Sequence, residues 1–328
     1  MIKVLPNPFG IQNAANNIKP FHKKTPLMKS DVLSDALNAD VWLKNETISP
    51  IASFKLRGAL NHLIEAGYES AIKGSVTSST GNHGQGVAYA SKLLDLSAHI
   101  FLPERHSQVK RTMIETFGGI IHIYGSDLDD AKEEARKYSL QNGFEFVDDG
   151  ESLAVIEGAG TVGLEIAEEL PNIDLVIVPM GSGSLASGVA VALKYIQPNA
   201  KVVAVSPAGS PAMVESFHEK KPIERQVVTI ADGTVCRVPA KLALDALLES
   251  VADAWLVTDE DILRAVHTLA ISSHVLVEPS GAVPLAAAFV NKDKLEGLRV
   301  VLVLSGANII KEDLYNALKR EPFIQTPS

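Results

Sequence analysis

Short apolar runs alternate with helical patterns along the chain, and this alternation limits the possible folds more than any other feature. Near-continuous apolar runs occur at 174–179, 201–205 and 298–304, which is typical of strands buried on both faces of a parallel sheet. Such alternation predicts an α/β fold with crossover connections. In the first half, strands are predicted at 74–79, 97–102 and 120–124, and helices at 82–94, 109–117 and 128–142.

The alternating elements fall into two groups. The first group closes near 147–150, and the second begins with a helix after Glu157. No repeat, low-complexity tract or long linker separates them. We therefore expect two α/β lobes with a cleft between them.

Composition narrows the class of protein. The 328 residues are 46% hydrophobic, enough for a sizeable core, and the formal net charge of -9 without a basic stripe argues against nucleic-acid or membrane partners. A single cysteine, Cys236, excludes an intrachain disulfide and fits a reducing compartment. The first residues lack the apolar run of a signal peptide, and no window of 18 apolar residues occurs. We expect a cytoplasmic enzyme or binding protein.

The first candidate site is the segment SFKLRGA at 53–59, where Lys55 follows the aromatic Phe54. It stands just before a helix predicted at 59–66. A partly desolvated lysine near a helix N-terminus has its charged form disfavoured, so its amine can act as a nucleophile and base. Taken alone, the segment is better explained by an ordinary solvated lysine, because most lysines are solvated.

The second candidate is SSTGNHGQG at 78–86, which follows a predicted strand and opens a helix. Its glycines allow close approach of a ligand to the backbone, and free amides at a helix start bind anions. Simple helix capping by Ser, Thr and Asn is the alternative.

The third candidate is PMGSGSLASG at 179–188, between an apolar strand and a helix predicted from Val189. Its small residues free backbone amides to wrap a phosphate. Gly181, Gly183 and Ala186 also fit a dinucleotide pattern, but the next strand ends in Ser206 without the carboxylate that a ribose requires. This favours a phosphate site over a nicotinamide dinucleotide site.

The fourth candidate is LSGAN at 304–308, at the end of the last apolar strand. Ligands of open parallel sheets lie at the carboxyl ends of strands. Ser305 is therefore expected to direct a hydroxyl into the cleft, although a plain turn would use the same residues.

Five motifs in this order resemble one enzyme family. SFKLRGA, STGNHGQG, GSGSL, VEPSGA and LSGAN are similar to the fold-type II pyridoxal-phosphate (PLP) enzymes, in the branch of threonine/serine dehydratases and serine racemases, over about 25–308. The resemblance implies open twisted sheets with helices on both faces in two lobes, as in the tryptophan synthase β chain, with PLP in the cleft. It further implies a large PLP-binding domain, 1–68 with 151–328, and a small mobile domain, 69–150.

The resemblance also assigns roles to individual residues. Lys55 would carry the cofactor as an imine, Phe54 would pack beside its ring, and Ser305 would face the ring nitrogen. Backbone amides of the phosphate loop and of the 79–83 segment would hold the phosphate and the substrate carboxylate, and Asn82 would also bind the ring oxygen. The phosphate loop comprises Gly181, Ser182, Gly183, Ser184 and Leu185, and the substrate segment comprises Ser79, Thr80, Gly81, Asn82 and His83.

The implied reaction is an α,β-elimination. Lys55 would remove the Cα proton of an L-β-hydroxy amino acid, the hydroxyl would leave with the cofactor phosphate as a candidate proton donor, and a 2-oxo acid and ammonia would follow. A neutral Ser305 suits elimination better than transamination, because it does not force a proton onto the ring nitrogen. Threonine, serine and a bulkier substrate such as phenylserine all fit, and the family suggests a homodimer or larger homo-oligomer.

Several positions depart from the family pattern. Thr80 replaces the serine that racemases use as a second base, and Ser182 and Ser184 replace loop glycines. His83, in GNHG, favours dehydratases over cysteine-synthase-like relatives. Ser206 replaces the carboxylate that begins a divalent-cation site in some relatives, so we expect no metal there.

Other functions stay open at this point. Racemisation of serine or β-replacement would use the same fold, with Thr80 as a catalytic base on the second face of the cofactor. A non-catalytic protein that binds PLP or an amino acid is an alternative of a different class. A nicotinamide-dependent oxidoreductase is the weakest alternative.

Overall fold

The structure is a computed structural model that describes residues 4–69 and 72–324. Strands and helices alternate as the sequence predicts. The helices are α1 Pro8–Ile18, α2 Asp31–Leu37, α3 Lys55–Glu69, α4 Asn82–Leu93, α5 Gln108–Thr116, α6 Leu128–Asn142, α7 Leu153–Glu169, α8 Ser184–Ile196, α9 Ala212–Glu219, α10 Lys241–Ser250, α11 Asp259–Thr268, α12 Pro279–Val290 and α13 Lys311–Leu318.

The strands form two separate sheets. The large sheet has the order β1-β2-β10-β7-β8-β9, parallel except for β1, and the small sheet has the parallel order β5-β4-β3-β6. The strands are β1 Leu27–Lys29, β2 Asp40–Asn45, β3 Gly74–Ser78, β4 Ser97–Leu102, β5 Gly119–Ile123, β6 Glu145–Phe146, β7 Leu175–Pro179, β8 Lys201–Pro207, β9 Asp253–Val257 and β10 Arg299–Leu304.

Helices cover both faces of the large sheet, because alternate residues of its strands point to opposite sides. In β10, Val300 and Leu302 belong to a buried cluster with α11 and α12, whereas Val301 and Val303 belong to a second cluster with α7, α8 and α10. A strand that is buried on both faces has a continuous run of apolar residues in its sequence. The sequence prediction of an α/β fold with helices on both faces is confirmed.

The small sheet is also covered on both sides. Ile100 of β4 packs in a cluster with α3, α4 and Ile114 of α5. Phe101, the next residue, points to the other face and packs against Ala131 and Ala135 of α6.

Three helices begin earlier than their sequence pattern predicts. The predicted starts at 59, after Glu157 and at Val189 were each several residues too late, since the helices begin at Lys55, Leu153 and Ser184. The cause at Lys55 is a tertiary contact, because Ser53 forms a bridge with Gly306 and so fixes the chain immediately before the helix.

Some strands had no clear sequence signal. The pattern left β1, β2, β6 and β9 unassigned, and all four are short or carry charged residues. β1, β6 and β9 lie at sheet edges, where one side of the strand has no neighbour to bury it. β2 instead lies between β1 and β10 and contains the buried Lys44.

A buried polar network anchors α3 to the large sheet. The guanidinium of Arg57, 0% exposed, donates to Glu46 at 2.8 and 2.9 Å and to Glu165 at 2.7 and 2.9 Å. Lys44 donates to Glu165 at 2.6 Å, and Thr25 donates to Glu46 at 2.5 Å. These bonds satisfy charges that would otherwise be costly in the interior.

Helices α7 and α8 pack backbone to backbone. A Cβ added at Gly188 would lie 2.5 Å from the carbonyl oxygen of Ile156 and 2.7 Å from the nitrogen of Gly160. Only glycine permits this approach. Within the described ranges, no helix has the length and apolar character needed to cross a membrane.

Candidate active site

Carboxyl ends of strands from both sheets meet around Lys55, the first residue of α3. The preceding Phe54 donates its backbone N–H to the carbonyl of Ser305, just after β10, at 3.1 Å. Lys55 is therefore fixed beside the end of the last large-sheet strand and is 9% exposed. Its Nζ lies 4.9 Å from the centroid of the Phe54 ring.

The amine of Lys55 is paired with a carboxylate that sequence reasoning did not select. Nζ lies 2.5 and 2.6 Å from Oδ1 and Oδ2 of Asp149, which stands in the connection from β6 to α7. Burial would raise the pKa of Asp149, but the charges of Lys55 and His83 outweigh burial and hold that pKa well below its usual range. The Asp149 side chain is 29% exposed.

His83 lies on the other side of this carboxylate. Its Nε2 is 3.1 Å from the carbonyl oxygen of Val147, and its Nδ1 is 3.6 Å from Oδ1 of Asp149. Among the described residues, Nδ1 has no hydrogen-bond partner. Burial lowers the pKa of His83, an effect that Asp149 opposes and Lys55 reinforces.

Asn82, the first residue of α4, is held by two long-range contacts. Its side-chain amide donates to Oε1 of Glu278 at 2.5 Å, and its oxygen accepts from Asn308 at 2.8 Å. Asn308 also donates to the carbonyl of Ile51 at 2.9 Å. Burial raises the pKa of Glu278, and Lys110 and Asn82 oppose this.

The rest of the 79–83 segment is half-buried at the mouth of the cleft. The hydroxyl of Ser79 accepts the N–H of Gly81 at 3.3 Å, and no side chain caps the start of α4. Thr80 has no hydrogen-bonded partner among the residues that the structure describes. Free amides at this helix start are suited to an anion such as a carboxylate.

The 181–185 loop leads into α8. Gly183 has φ of +94°, a value that favours glycine, and no side chain caps the helix. A Cβ at Gly181 would lie 2.9 Å from the Cα of Thr234. The hydroxyl of Ser184 donates to the carbonyl of Asp149, and Ser182 lies 2.9 Å from Ser184, oxygen to oxygen.

An ion pair near Glu278 joins the two sheet regions. Lys110, on α5, contacts Asp232, which stands in the segment between α9 and α10. Lys110 is 9% exposed, and burial lowers its pKa, an effect that Glu278 and Asp313 oppose. A residue of the small-sheet region is thus bound to the large-sheet region.

These residues fit a phosphate-bearing aldehyde cofactor. No side chain caps the start of α8, so its backbone amides are free. The glycines of the 181–185 loop before it leave no space for larger side chains. Both features suit the binding of a phosphate. The amine of Lys55 lies beside the side-chain carboxylate of Asp149, and the backbone carbonyl of Asp149 accepts the hydroxyl of that loop's Ser184. The buried Ser305 follows the carboxyl end of β10, the parallel neighbour of β7, and presents a neutral hydroxyl. The part of the chain that the structure describes contains no group of three or more His, Cys, Asp or Glu arranged to hold a metal.

Four contacts of the site come from residues to which the motifs assign no role. Asp149 follows strand β6 in the segment FVDDG, and the two adjacent acidic residues are the sequence signal that could have identified it. Glu278 and Asn308 belong to the motifs VEPSGA and LSGAN, but their pairing with Asn82 spans 196 and 226 residues. Lys110 has no distinguishing sequence context.

Comparison with known proteins agrees with this geometry. Residues 18–306 match a family model described as pyridoxal-phosphate dependent enzyme. The chain is 35% identical over 304 residues to the catabolic L-threonine dehydratase TdcB of Staphylococcus aureus, covering 91% of this chain and 88% of that protein.

Solved structures give the same result. The processed form of threonine deaminase isoform 2 from Solanum lycopersicum superposes with a TM-score of 0.88 at 30% identity, covering 97% of this chain and 98% of that one. Maize serine racemase superposes with a TM-score of 0.90 at 31% identity, covering 96% and 97%. The motifs, the site and these relatives together show that the chain belongs to the pyridoxal-phosphate-dependent enzyme family, with pyridoxal 5'-phosphate as its cofactor.

Proposed function

We propose that the chain is an ammonia-lyase that converts an L-β-hydroxy amino acid to a 2-oxo acid and ammonia by α,β-elimination. The observation that carries the proposal is the position of Lys55, whose amine pairs with Asp149. Asp149 in turn contacts Ser184 at the uncapped start of α8 and lies 3.6 Å from His83 at the uncapped start of α4. Relatives named threonine dehydratase and threonine deaminase support it. Serine, threonine and a bulkier substrate such as phenylserine are the candidates.

PLP supplies an electron sink that stabilises negative charge at Cα. Backbone amides at 181–185 would bind its phosphate, Asn82 its ring oxygen, and Ser305 its ring nitrogen. Asn82 is suited to this because Glu278 and Asn308 fix the orientation of its amide. Ser305 is neutral, so the ring is a weaker sink and suits a short-lived charge.

The chain's own groups would then orient the substrate and move its protons. Amides of the 79–83 segment would hold the α-carboxylate, and Lys55 would take the proton from Cα. A positioned base of this kind contributes about a hundred- to ten-thousandfold. The buried position of Lys55 and the ring of Phe54 beside it limit competition from water.

The decisive test is a panel of L-serine, L-threonine and L-threo-phenylserine with detection of the 2-oxo acid and ammonia. Lys55→Ala is expected to abolish turnover together with the visible absorbance of covalently held PLP. Lys23→Ala, at an exposed lysine, is the matched control and is expected to keep both. Turnover and absorbance that survive in Lys55→Ala would refute the role of Lys55.

Racemisation is a second candidate, favoured by one observation. Thr80 presents a hydroxyl with no protein partner at the cleft, and maize serine racemase superposes on nearly the whole chain. Thr80 would act as the base on the second face. Incubation with L-serine separates the outcomes, because racemisation gives D-serine whereas elimination gives pyruvate. Thr80→Val is expected to lower the formation of D-serine and to leave the formation of pyruvate unchanged.

Two further proposals concern the domains of the chain and its assembly. We propose that 69–150 moves as a small domain against 1–68 with 151–328, since the small sheet lies wholly within the first range. We also propose a cytoplasmic homodimer or larger homo-oligomer. Light scattering of the purified chain tests the assembly state.

A further inference from the structure

We propose that Asp232 and Arg237 are positioning residues that hold one segment of the chain across the cleft while the substrate reacts. The segment, which we call the strap, is 220–240, and it joins α9 to α10 with a single helical turn at Asp232–Thr234. Connections longer than about 15 residues without regular structure are uncommon and usually functional. The inference rests on the proposed elimination function and extends it to how the site is closed.

The strap is anchored to the large-sheet region by hydrogen bonds. The backbone N–H of Val228 donates to the carbonyl of Gly209 at 2.8 Å, and that of Cys236 donates to the hydroxyl of Ser210 at 2.9 Å. Gly209 and Ser210 follow β8, a central strand of the large sheet. The strap is therefore part of the large-sheet region.

The strap reaches the small-sheet region through two ion pairs of opposite polarity. Asp232 contacts Lys110 on α5, and Arg237 contacts Asp129 on α6. The strap carries the negative charge in the first pair and the positive charge in the second. A displaced strap would bring like charges together, so the two pairs favour a single register between the strap and the two helices.

The same strap packs against two walls of the candidate active site. A Cβ added at Gly181, in the phosphate loop, would lie 2.9 Å from Cα of Thr234. A Cβ added at Gly233 would lie 3.6 Å from Oε1 of Glu278, the carboxylate that orients Asn82. Close-packed interiors transmit strain from one residue to its neighbours. The ion pairs of the strap therefore help to fix both the phosphate loop and the partner of Asn82.

The strength of the ion pairs suits a segment that must also open. The side chains of Asp232, Arg237 and Asp129 are exposed, whereas that of Lys110 is buried. An exposed ion pair shifts an equilibrium by no more than about fivefold, and salt screens it. Such contacts can close the site around a substrate and still release the product, as active-site lids do.

Cys236 is a built-in reporter of the position of the strap. It is buried within the strap, and it is the one cysteine of the sequence. Burial, reinforced by the negative charge of Asp149, raises the pKa of its thiol to about 12. Since the thiolate is the reactive form, the closed strap protects Cys236 from N-ethylmaleimide. The labelling rate thus measures opening without any turnover.

The first test reverses one charge on the small-sheet side. In the PLP-loaded enzyme, Asp129→Arg is expected to speed labelling of Cys236 about two- to thirtyfold, because it removes one exposed attraction and adds a comparable repulsion against Arg237. The matched control is Glu133→Arg, the same type of charge reversal on the same helix, where the partner is Lys137. This control is expected to keep the wild-type rate.

Two further variants test the pairing itself. Asp129→Arg with Arg237→Asp restores one pair with exchanged charges and is expected to bring labelling back towards the wild-type rate; Glu224, which also pairs with Arg237, is exposed and loses little. Asp232→Asn removes the charge that faces Lys110 and is expected to speed labelling. Unchanged labelling in Asp129→Arg or Asp232→Asn, or no recovery in the double variant, would overturn the inference.

Kinetics separate positioning from a general loss of stability. For L-serine, kcat/KM is expected to fall in Asp129→Arg and to recover in the double variant. The loss should lie in KM rather than in kcat, because saturating substrate keeps the strap closed. Faster labelling with an unchanged kcat/KM, or a loss confined to kcat, would refute the positioning role.

Failure of the proposed function is visible separately. A wild-type enzyme that releases no 2-oxo acid from any β-hydroxy amino acid refutes the elimination, and with it the role of the strap in that reaction. A wild type that is active on L-serine, with labelling of Cys236 unaffected by the strap variants, refutes the inference alone.

Discussion

Replacing Arg57 with methionine is the sharpest test of how the protein holds Lys55, two residues earlier on α3. The change removes the guanidinium that bridges Glu46 and Glu165 and keeps an apolar side chain of similar length. Lys44 still pairs with Glu165 at 2.6 Å, so Glu165 loses one of its two cations whereas Glu46 loses the guanidinium that pairs with it. One uncompensated buried carboxylate predicts a loss of about 3–5 kcal/mol in the free energy of unfolding.

The pH dependence of this loss has a definite sign. Burial would raise the pKa of Glu165, but Arg57 and Lys44 lower it from 4.5 to about 2. The stabilisation from a lowered carboxyl pKa is complete above the unfolded value and is lost as pH falls through the folded value. The difference between wild type and Arg57→Met is therefore greatest above about pH 4.5 and shrinks towards about pH 2.

Urea unfolding monitored by tryptophan fluorescence measures the effect, since Trp42 and Trp255 both lie in the large sheet. The double variant Arg57→Met with Glu46→Gln is the control, and it is expected to recover part of the loss because the orphaned charge is gone. A loss below about 1 kcal/mol, or no recovery in the double variant, would refute the reasoning.

Three further predictions concern packing, pH and the cofactor ring. Gly188→Ala places a methyl group against the backbone of α7 and is expected to destabilise the protein by about 1–3 kcal/mol in urea unfolding, whereas Gly67→Ala, with open space around it, should not destabilise it. Burial raises the pKa of Glu157 from 4.5 to about 7, an effect that the N–H of Asn7 opposes and Glu65 reinforces. Wild-type stability from this group is thus lost as pH rises from 4.5 through about 7, and Glu157→Gln should remove that decline in thermal melts. Ser305→Asp is expected to protonate the ring nitrogen, shift the visible absorbance of the bound cofactor and reduce elimination; an unchanged spectrum would mean that residue 305 does not face the ring.

Local motifs predicted where the candidate loops stand in the fold, because each consists of neighbouring residues. The phosphate loop at 181–185 and the helix start at Asn82 follow strands whose apolar runs are visible in the sequence. The φ of +94° at Gly183, a value that other residues rarely adopt, explains why the sequence has glycine there.

Long-range partners could not be predicted in the same way. Asp149 meets Lys55 only because the connection from β6 to α7 passes the start of α3, 94 residues away in sequence. The start of α3 itself depends on a bridge from Ser53 to Gly306. Such contacts follow from tertiary packing, which overrides the local helical pattern.

The order of strands in the large sheet has a consequence for synthesis of the chain. β10, at 299–304, lies between β2 and β7, and Arg299 contacts Asp40 across 259 residues. The small sheet, built from consecutive strands, can form while the ribosome is still translating, but β2 has no parallel neighbour until the last strand emerges. Phe54, which precedes Lys55, donates to the carbonyl of Ser305 at the end of β10, so Lys55 acquires its position only in the final stage of folding.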